Sequence, residues 1–430
     1  MRRTWLPLMA VALLALAIPA YAAPTSAPSG AAPAVLLPPD TAGLAPDDIA
    51  AVIDPLLDSP SLGGSVGAIV LDVATGAVVY QREAAMPRSL ASNQKVFTAL
   101  AILDALGPEV RIETTVAWDA TTATLTLVGA GDPTLATVAA SGSSLADLAD
   151  KVVGQVSGEV TVRYDASLFD GPAIPEGWTP DYPALGIAAP VSALTVDRSR
   201  IAGQDARQPD PALAAAQAFA TQLAERGLTV GDVTEGASTG SVIATTASEP
   251  IATMVETMLT ESDNDMAEIL THLAGATRTG RGSFASGAEA TVATLQSIGV
   301  PVSGAEFVDG SGLSYADISS PLTLATAISI SSGPAAPAWS WPVVLGLPVA
   351  GLTGTLADRY AAPDTRGAAG FVRAKTGTLI GVSTLAGTVV DADGRLLAFA
   401  LMADETPDVD ASRAALDRVA AGLAACGCRG

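Results

Sequence analysis

The sequence predicts an α/β (α+β) protein in which an antiparallel sheet lies between helices, is closed by the two ends of the chain, and is interrupted by an inserted, mixed, mainly β region. Three observations carry this. Near the start, residues 65–71 and 77–81 flank Thr75-Gly76 and read as a hairpin of buried strands. Near the end, strand-like 372–378 precedes a second hairpin, 384–390 with 395–402, around Asp391-Ala-Asp-Gly394. Between them, apolar residues recur at helical spacing, first at Val96, Phe97, Leu100, Leu103 and Leu106.

The elements follow in order. Met1-Arg2-Arg3, an apolar run over 5–20 and Ala20-Tyr21-Ala22 make residues 1–22 a signal peptide with a small-x-small cleavage site. The protein is therefore expected to be exported, to the cell wall or periplasmic space; an uncleaved leader would tether it to the membrane. Residues 23–44, rich in Ala and Pro, read as a flexible spacer. Residues 45–112 and 251–430 form the main domain, whose first long helix spans 92–106 and stops at Gly107-Pro108. The insertion covers 113–250, part of it a smaller subdomain. It has strand-like runs at 124–128 and 159–164 and helical stretches at 145–156 and 211–226. Helices return from 251 to 273, broken at 262–264, and a final helix spans about 411–424.

Composition narrows the function. Of 430 residues, 49% are hydrophobic, enough for a packed core, which excludes disordered, collagen-like and coiled-coil chains. A net charge of −22 disfavours a nucleic-acid partner by repelling phosphate. The single His272 excludes most His-based metal clusters and leaves any Ser-His-Asp triad dependent on one residue. Cys426 and Cys428 sit too close to the C-terminus to staple the core, and two thiols without histidine do not make a metal site. No metal, nucleotide or flavin signal stands out, so no cofactor is expected. Lysine occurs three times (Lys95, Lys151, Lys375) against 19 arginines, and asparagine twice (Asn93, Asn264). A chain that carries its positive charge on arginine keeps lysine where an amine must give up a proton.

Three motifs use these rare residues in order: Ser92-Asn-Gln-Lys95, Ser262-Asp-Asn264 and Lys375-Thr-Gly377. By composition, their joint occurrence in this order has a chance of about one in a thousand. Ser92 and Lys95, three apart, share a helix face, so the amine reaches the hydroxyl. A neutral amine activates a serine once burial or a neighbouring cation, here Lys375, lowers its pKa. The N-terminal end of that helix adds partial positive charge where an oxyanion develops. In the polar break, Ser262 is placed to relay a proton to a leaving amine, and Asn264 to hold Lys95 or the substrate amide. Thr376 and Thr378 share a strand face, and Gly377 removes a side chain where an extended substrate approaches the backbone. Lys375 with the two hydroxyls makes a receptor for a terminal carboxylate. Taken singly, each motif has a bland alternative: a helix cap with a solvated amine, an N-cap, or a surface turn.

With Gly131-Asp-Pro-Thr-Leu135, Val191-Ser-Ala-Leu194, Asp309-Gly-Ser-Gly-Leu-Ser314 and Leu347-Pro-Val-Ala-Gly-Leu352 followed by Gly354-Thr-Leu356, the chain resembles the D-alanyl-D-alanine carboxypeptidase/endopeptidase family. These are the class C low-molecular-mass penicillin-binding proteins, of the penicillin-binding protein 4 type, and the resemblance covers roughly 45–425. It implies a transpeptidase/β-lactamase-like domain and a secreted serine DD-peptidase that acts on peptidoglycan stem peptides through an acyl-enzyme and is acylated by β-lactam antibiotics. On that pattern Ser92 is acylated, Lys95 is its base, Ser262 and Asn264 serve proton transfer and positioning, and Lys375, Thr376 and Thr378 bind the carboxylate. The backbone amides of Ser92 and Thr378 would form the oxyanion hole. The stretch between Lys95 and Ser262 is shorter than in members with two inserted subdomains, particularly after Asp197-Arg-Ser-Arg200, so contacts carried by a missing subdomain do not transfer.

Other readings compete. A β-lactamase uses the same nucleophile, but a deacylating E-x-x-x-N has no asparagine left to supply it. Gly236-Ala-Ser-Thr-Gly240 formally matches G-x-S-x-G, yet strand-like residues rather than a helix follow it, which makes Ser238 a loop residue. His272 reads as a helix-face histidine. A catalytically silent wall-binding scaffold of the same fold is the non-enzymatic alternative.

Overall fold

The computed structural model describes residues 49–139 and 142–427. The signal peptide, the spacer and Cys428 lie outside the described residues. Helix α1 (Ile49–Leu57) leads into the hairpin β1 (Ser65–Asp72) and β2 (Val78–Arg82), then the short β3 (Arg88–Ser89) and helix α2 (Gln94–Leu106). Next come β4 (Arg111–Asp119), β5 (Thr124–Val128), α3 (Leu145–Val153), β6 (Glu159–Asp165), α4 (Pro211–Glu225), β7 (Thr229–Glu235) and β8 (Ser241–Pro250). Helices α5 (Ile251–Glu261), α6 (Asn264–Thr279) and α7 (Phe284–Ser297) precede β9 (Ile318–Ser319), α8 (Pro321–Ser332) and α9 (Trp341–Gly346). The described residues close with β10 (Val372–Leu379), β11 (Val382–Val390), β12 (Leu396–Asp404) and α10 (Val409–Ala425).

An antiparallel sheet runs in the order β10-β11-β12-β1-β2, so the first long strand pairs with the last, Ser65 opposite Asp404 and Asp72 opposite Leu397. Both faces are buried, and the period of two sorts each strand between two cores. Along β12, Leu397, Phe399, Leu401 and Ala403 pack with α1 and α10. Ala398, Ala400 and Met402 pack with α2, α5, α6 and α8. The first hairpin is locked to the last: Asp72 accepts from Thr75 in its own turn and from Arg395 Nη2 at 2.8 Å. That guanidinium holds the Asp72 carboxyl below its usual range.

Helix α2 is buried over 94–103, on all sides rather than along one stripe, as befits a helix at the centre of a core. It ends where Gly107 takes a positive φ of 83° and Pro108 cannot continue the ladder. The helical run after 251 breaks at Ser262, which ends α5 in the left-handed conformation (φ 59°, ψ 40°). Asp263 then caps α6 by accepting from Met266 N.

Residues 111–250 build a second sheet, ordered β7-β6-β5-β4-β8. The β5–β6 and β6–β7 pairs are parallel because α3 and α4 serve as crossovers, while β4 pairs antiparallel with β5 and β8. Ser144 and Asp210 cap those two helices, and Pro211 takes the first helical position.

Phe399 is fully buried in the face packed on α10. We expect Phe399→Ala to lower the unfolding free energy by about 3–5 kcal/mol in urea denaturation. Val78→Ala, at an exposed site on β2, should change it by less than about 0.5 kcal/mol.

Candidate active site

Ser92 sits on the tight turn that feeds α2, where Ala91 has a positive φ of 44°. Three neighbours fasten this turn. Asn93 Nδ2 donates to Thr384 Oγ1 on β11 at 2.7 Å, and Thr384 Oγ1 donates to the Leu90 carbonyl at 3.0 Å. Gly312 (φ 80°) lies so close that a Cβ there would collide with the Ala91 carbonyl. Gly377, on β10, has a different job from the one its motif suggests. A Cβ would collide with Thr384 Oγ1 and come 2.8 Å from the Leu90 carbonyl, so its missing side chain makes room for the Ser92 turn rather than for substrate.

Lys95, one turn along, is fully buried. An ammonium has three donors, and Lys95 Nζ meets three acceptors: Asn264 Oδ1 at 2.8 Å, the Ser311 carbonyl at 2.7 Å and Ser92 Oγ at 3.2 Å. Lys375 is equally buried and donates to Ser262 Oγ at 2.9 Å and to the Thr376 carbonyl at 2.8 Å. Burial pulls the Lys95 amine down to about 8, against the opposing pull of Glu268, Asp309, Asp263 and Asp317. Burial, and then the charge on Lys95, pushes Lys375 well below its ordinary value. Thr376 and Thr378 lie on the outward face of β10. With Ser92, Ser262, Thr355, Arg359 and Arg413 they line an open cavity of about 420 Å³. Of the eight residues the motifs single out, seven therefore meet around one cavity or directly beneath it; Gly377 lies behind.

The support beneath was not legible as a role. Buried Glu268 accepts from the amides of Gly310 (2.9 Å) and Ser311 (2.7 Å), and burial raises its carboxyl. Asp309 accepts from the amides of Ser311, Gly312 and Ser314 and from Trp178 Nε1, winding its loop so that the Ser311 carbonyl faces Lys95. Asp309-Gly-Ser-Gly and Gly354-Thr-Leu356, which holds Thr355, were visible as motifs without a role; Glu268, Arg359 and Arg413 carried no signal.

The segment 187–207 grips the turn that holds Asn264. The Ile187 carbonyl accepts from Asn264 Nδ2 at 2.9 Å, and Ala189 N donates to Asp265 Oδ1 at 2.6 Å. Arg198 Nη1 pairs with Asp263 at 2.9 Å, and buried Arg207 Nε pairs with buried Asp265 at 2.8 Å. Arg198 lies between Asp197 and Ser199, and all three have φ of 50–54°. Such a run of left-handed residues costs about 1–3 kcal/mol each. It is held by Asp197, which accepts from Thr137 N and Oγ1, and by the contact of Thr195 with Ser199.

His272 lies elsewhere. It is buried in α6 between the rings of Phe169 and Phe284, with Nδ1 2.9 Å from the Glu268 carbonyl. Burial pulls its pKa down to about 4, so the ring is neutral packing. Ser238 lies in the loop joining β7 to β8, without the strand-turn-helix of a hydrolase elbow. Cys426 is buried against the α1–α10 core.

The family model for D-Ala-D-Ala carboxypeptidase 3 (S13) matches residues 49–208 and 202–423. Carboxypeptidase DacB of Mycolicibacterium smegmatis is 36% identical over 415 residues, covering 91% of this chain and 89% of the relative. A carboxypeptidase of Mycobacterium tuberculosis is 32% identical over 397 residues, covering 88% and 84%. Among solved structures, penicillin-binding protein 4 of Haemophilus influenzae superposes with a TM-score of 0.73 at 22% identity, covering 87% of this chain and 98% of that one. The fold is shared with it.

The pairs gripping the turn differ in burial. Removing one partner of a buried pair strands the other charge, so Arg207→Ala should lower stability by about 3–5 kcal/mol in thermal or urea unfolding. Arg200→Ala, at an exposed position nearby, should cost less than about 0.5 kcal/mol.

Proposed function

Because the chain belongs to the D-Ala-D-Ala carboxypeptidase 3 (S13) family, and is thus a serine-type D-Ala-D-Ala carboxypeptidase, we propose that it is exported and trims peptidoglycan stem peptides through an ester on Ser92. The observation that carries this reading is the arrangement around Lys95, a buried amine with lowered pKa 3.2 Å from the Ser92 hydroxyl. As the neutral amine, Lys95 takes the proton from Ser92 Oγ while that oxygen attacks the carbonyl carbon of the penultimate D-Ala. The amides of Ser92 and Thr378 stabilise the resulting oxyanion.

Collapse breaks the C–N bond. The leaving D-Ala amine takes the proton of Ser262 Oγ, which Lys375, in its protonated form, replaces through their 2.9 Å contact. The net result is an ester on Ser92 and free D-Ala. The proton held on Lys95 then passes to the depleted Lys375, which restores both amines. Water attacks the ester with the neutral Lys95 accepting its proton, and Lys95 returns that proton to Ser92 Oγ as the C–O bond breaks and the shortened peptide leaves. The same acylation by a β-lactam leaves a ring-opened ester, so these antibiotics act as covalent inhibitors. Cross-links that end in a D-Ala amide present the same bond, which makes endopeptidase cleavage a second use of the site.

Incubation with benzylpenicillin should add one intact penicillin to the mass of the wild type and nothing to Ser92→Ala. Absence of an adduct with the penicillin left intact would favour the silent scaffold, and rapid turnover of the penicillin would favour a β-lactamase.

The base role also sets a pH dependence. Lowering an amine from 10.5 to about 8 raises its neutral fraction at pH 8 from about one in three hundred to about half. The acylation rate should therefore climb through pH 8 and stop climbing once Lys375 loses the proton it supplies to Ser262. A rate that is flat from pH 6 to 9 would remove Lys95 from the base role.

A further inference from the structure

A substrate that ends in a carboxylate needs a cation to receive it, and among the described residues two arginines line the cavity and two lysines lie buried beneath it. Lys95 has all three of its donors engaged. Lys375 is fully buried, is held by Ser262 and by its neighbour's carbonyl, and keeps a positive charge only against burial and against Lys95. Arg359 is neutralised: Nε and Nη2 grip both oxygens of Asp417 at 2.9 and 2.6 Å, and Nη2 also reaches the Arg413 carbonyl.

Arg413 differs from these three. Its side chain is 43% exposed, its Nε donates to Thr378 Oγ1 at 3.3 Å, and its one ion pair among the described residues is a 3.5 Å contact with Asp410, which is 93% exposed. A pair so open to water contributes little. The residue also stands near the start of α10, the end of a helix where a cation opposes the backbone dipole.

We propose that Arg413 determines specificity for a terminal carboxylate, receiving it together with the hydroxyls of Thr376 and Thr378, and that Lys375 serves Ser262 instead. The guanidinium keeps its proton at every working pH and presents a fork that matches both carboxylate oxygens. Thr378 already bonds that fork, and Thr376 is steadied by Thr355 Oγ1 at 2.8 Å. Ser92 lines the same cavity, so a peptide anchored there by its end presents its last amide to the nucleophile. This inference rests on Ser92 being the acylated residue.

The test uses two thiolesters with the same N-acyl-D-alanyl donor. One has a leaving group ending in a carboxylate; the other carries its methyl ester. The ratio of their kcat/KM values is read for wild type, Arg413→Ala, Arg413→Lys and Ser92→Ala, and again as acylation rates with benzylpenicillin and its methyl ester. The wild type should prefer the carboxylate. Arg413→Ala should cut that preference about tenfold or more, mainly through KM, and Arg413→Lys should recover part of it. An unchanged ratio in Arg413→Ala, including an equal loss on both substrates, overturns the proposal. So does a wild type that shows no preference. Turnover or acylation surviving in Ser92→Ala overturns the nucleophile instead, and thus separates the two failures.

Discussion

Burying an amine in an apolar interior is so unfavourable that the group either sheds its proton or must find complete hydrogen bonding. Lys95 and Lys375 are both fully buried at one site, and each makes the other's charge harder to hold. Most of the surrounding structure answers this constraint. Three acceptors converge on Lys95 so that its protonated form is tolerated, while Glu268, Asp309 and Asp317 sit beneath it as a buried acidic cluster. These carboxyls would be prohibitive in isolation. They survive because the backbone amides of 308–312 and 314 donate to them.

The amines can be tuned only if their partners stay put, and these come from distant parts of the chain. Asn264 follows a left-handed serine, Ser311 lies in a loop wound around Asp309, and Lys375 lies on a strand at the end of the sheet. The grip of 187–207 on Asp263, Asn264 and Asp265 gives the inserted region a physical reason to exist: it holds the middle motif from the side opposite Lys95. The left-handed run at 197–199 stores strain where that grip is made, which is where strained backbone tends to be kept.

Sequence reading reached the residues that meet at the cavity because the motifs that hold them are local in sequence. Each motif is three or four residues long and uses rare residue types, so Ser92, Lys95, Ser262, Asn264, Lys375, Thr376 and Thr378 stood out. The two hairpins were legible for the same reason, since a turn such as Asp391-Ala-Asp-Gly394 sits beside the strands it joins. Pairings set by long-range packing left no such trace. Helix α8 is buried with apolar residues all round it and was not anticipated, and β3 and β9 are two residues each, too short to show a period. Gly377 was misassigned because a glycine in a strand announces a close approach without saying which neighbour approaches. The pairing of Arg359 with Asp417 spans 58 residues and has no local pattern at all.

The least visible determinant of the site carries no chemistry. On the sheet face toward α2 and α8 three central positions are small, Ala386, Ala398 and Ala400, between the larger Ile69, Leu71 and Met402, whereas the opposite face carries Leu385, Leu397, Phe399 and Leu401 at the matching positions. Small side chains set how near the helical layer can lie, because interiors are close-packed and a larger group has nowhere to go but into displacement of a neighbour. Helix α2 bears both Lys95 and the turn with Ser92, while β10, hydrogen-bonded to the neighbouring strand β11, bears Lys375 and the threonines. The distance between the Ser92 turn and β10 is set directly by Gly377 and Thr384, and the small residues of that face let the helical layer behind them lie close to the sheet. A motif search passes over such residues, although a shift of an ångström between that layer and the sheet would move Ser92 and Lys95 on one side against Lys375, Thr376 and Thr378 on the other.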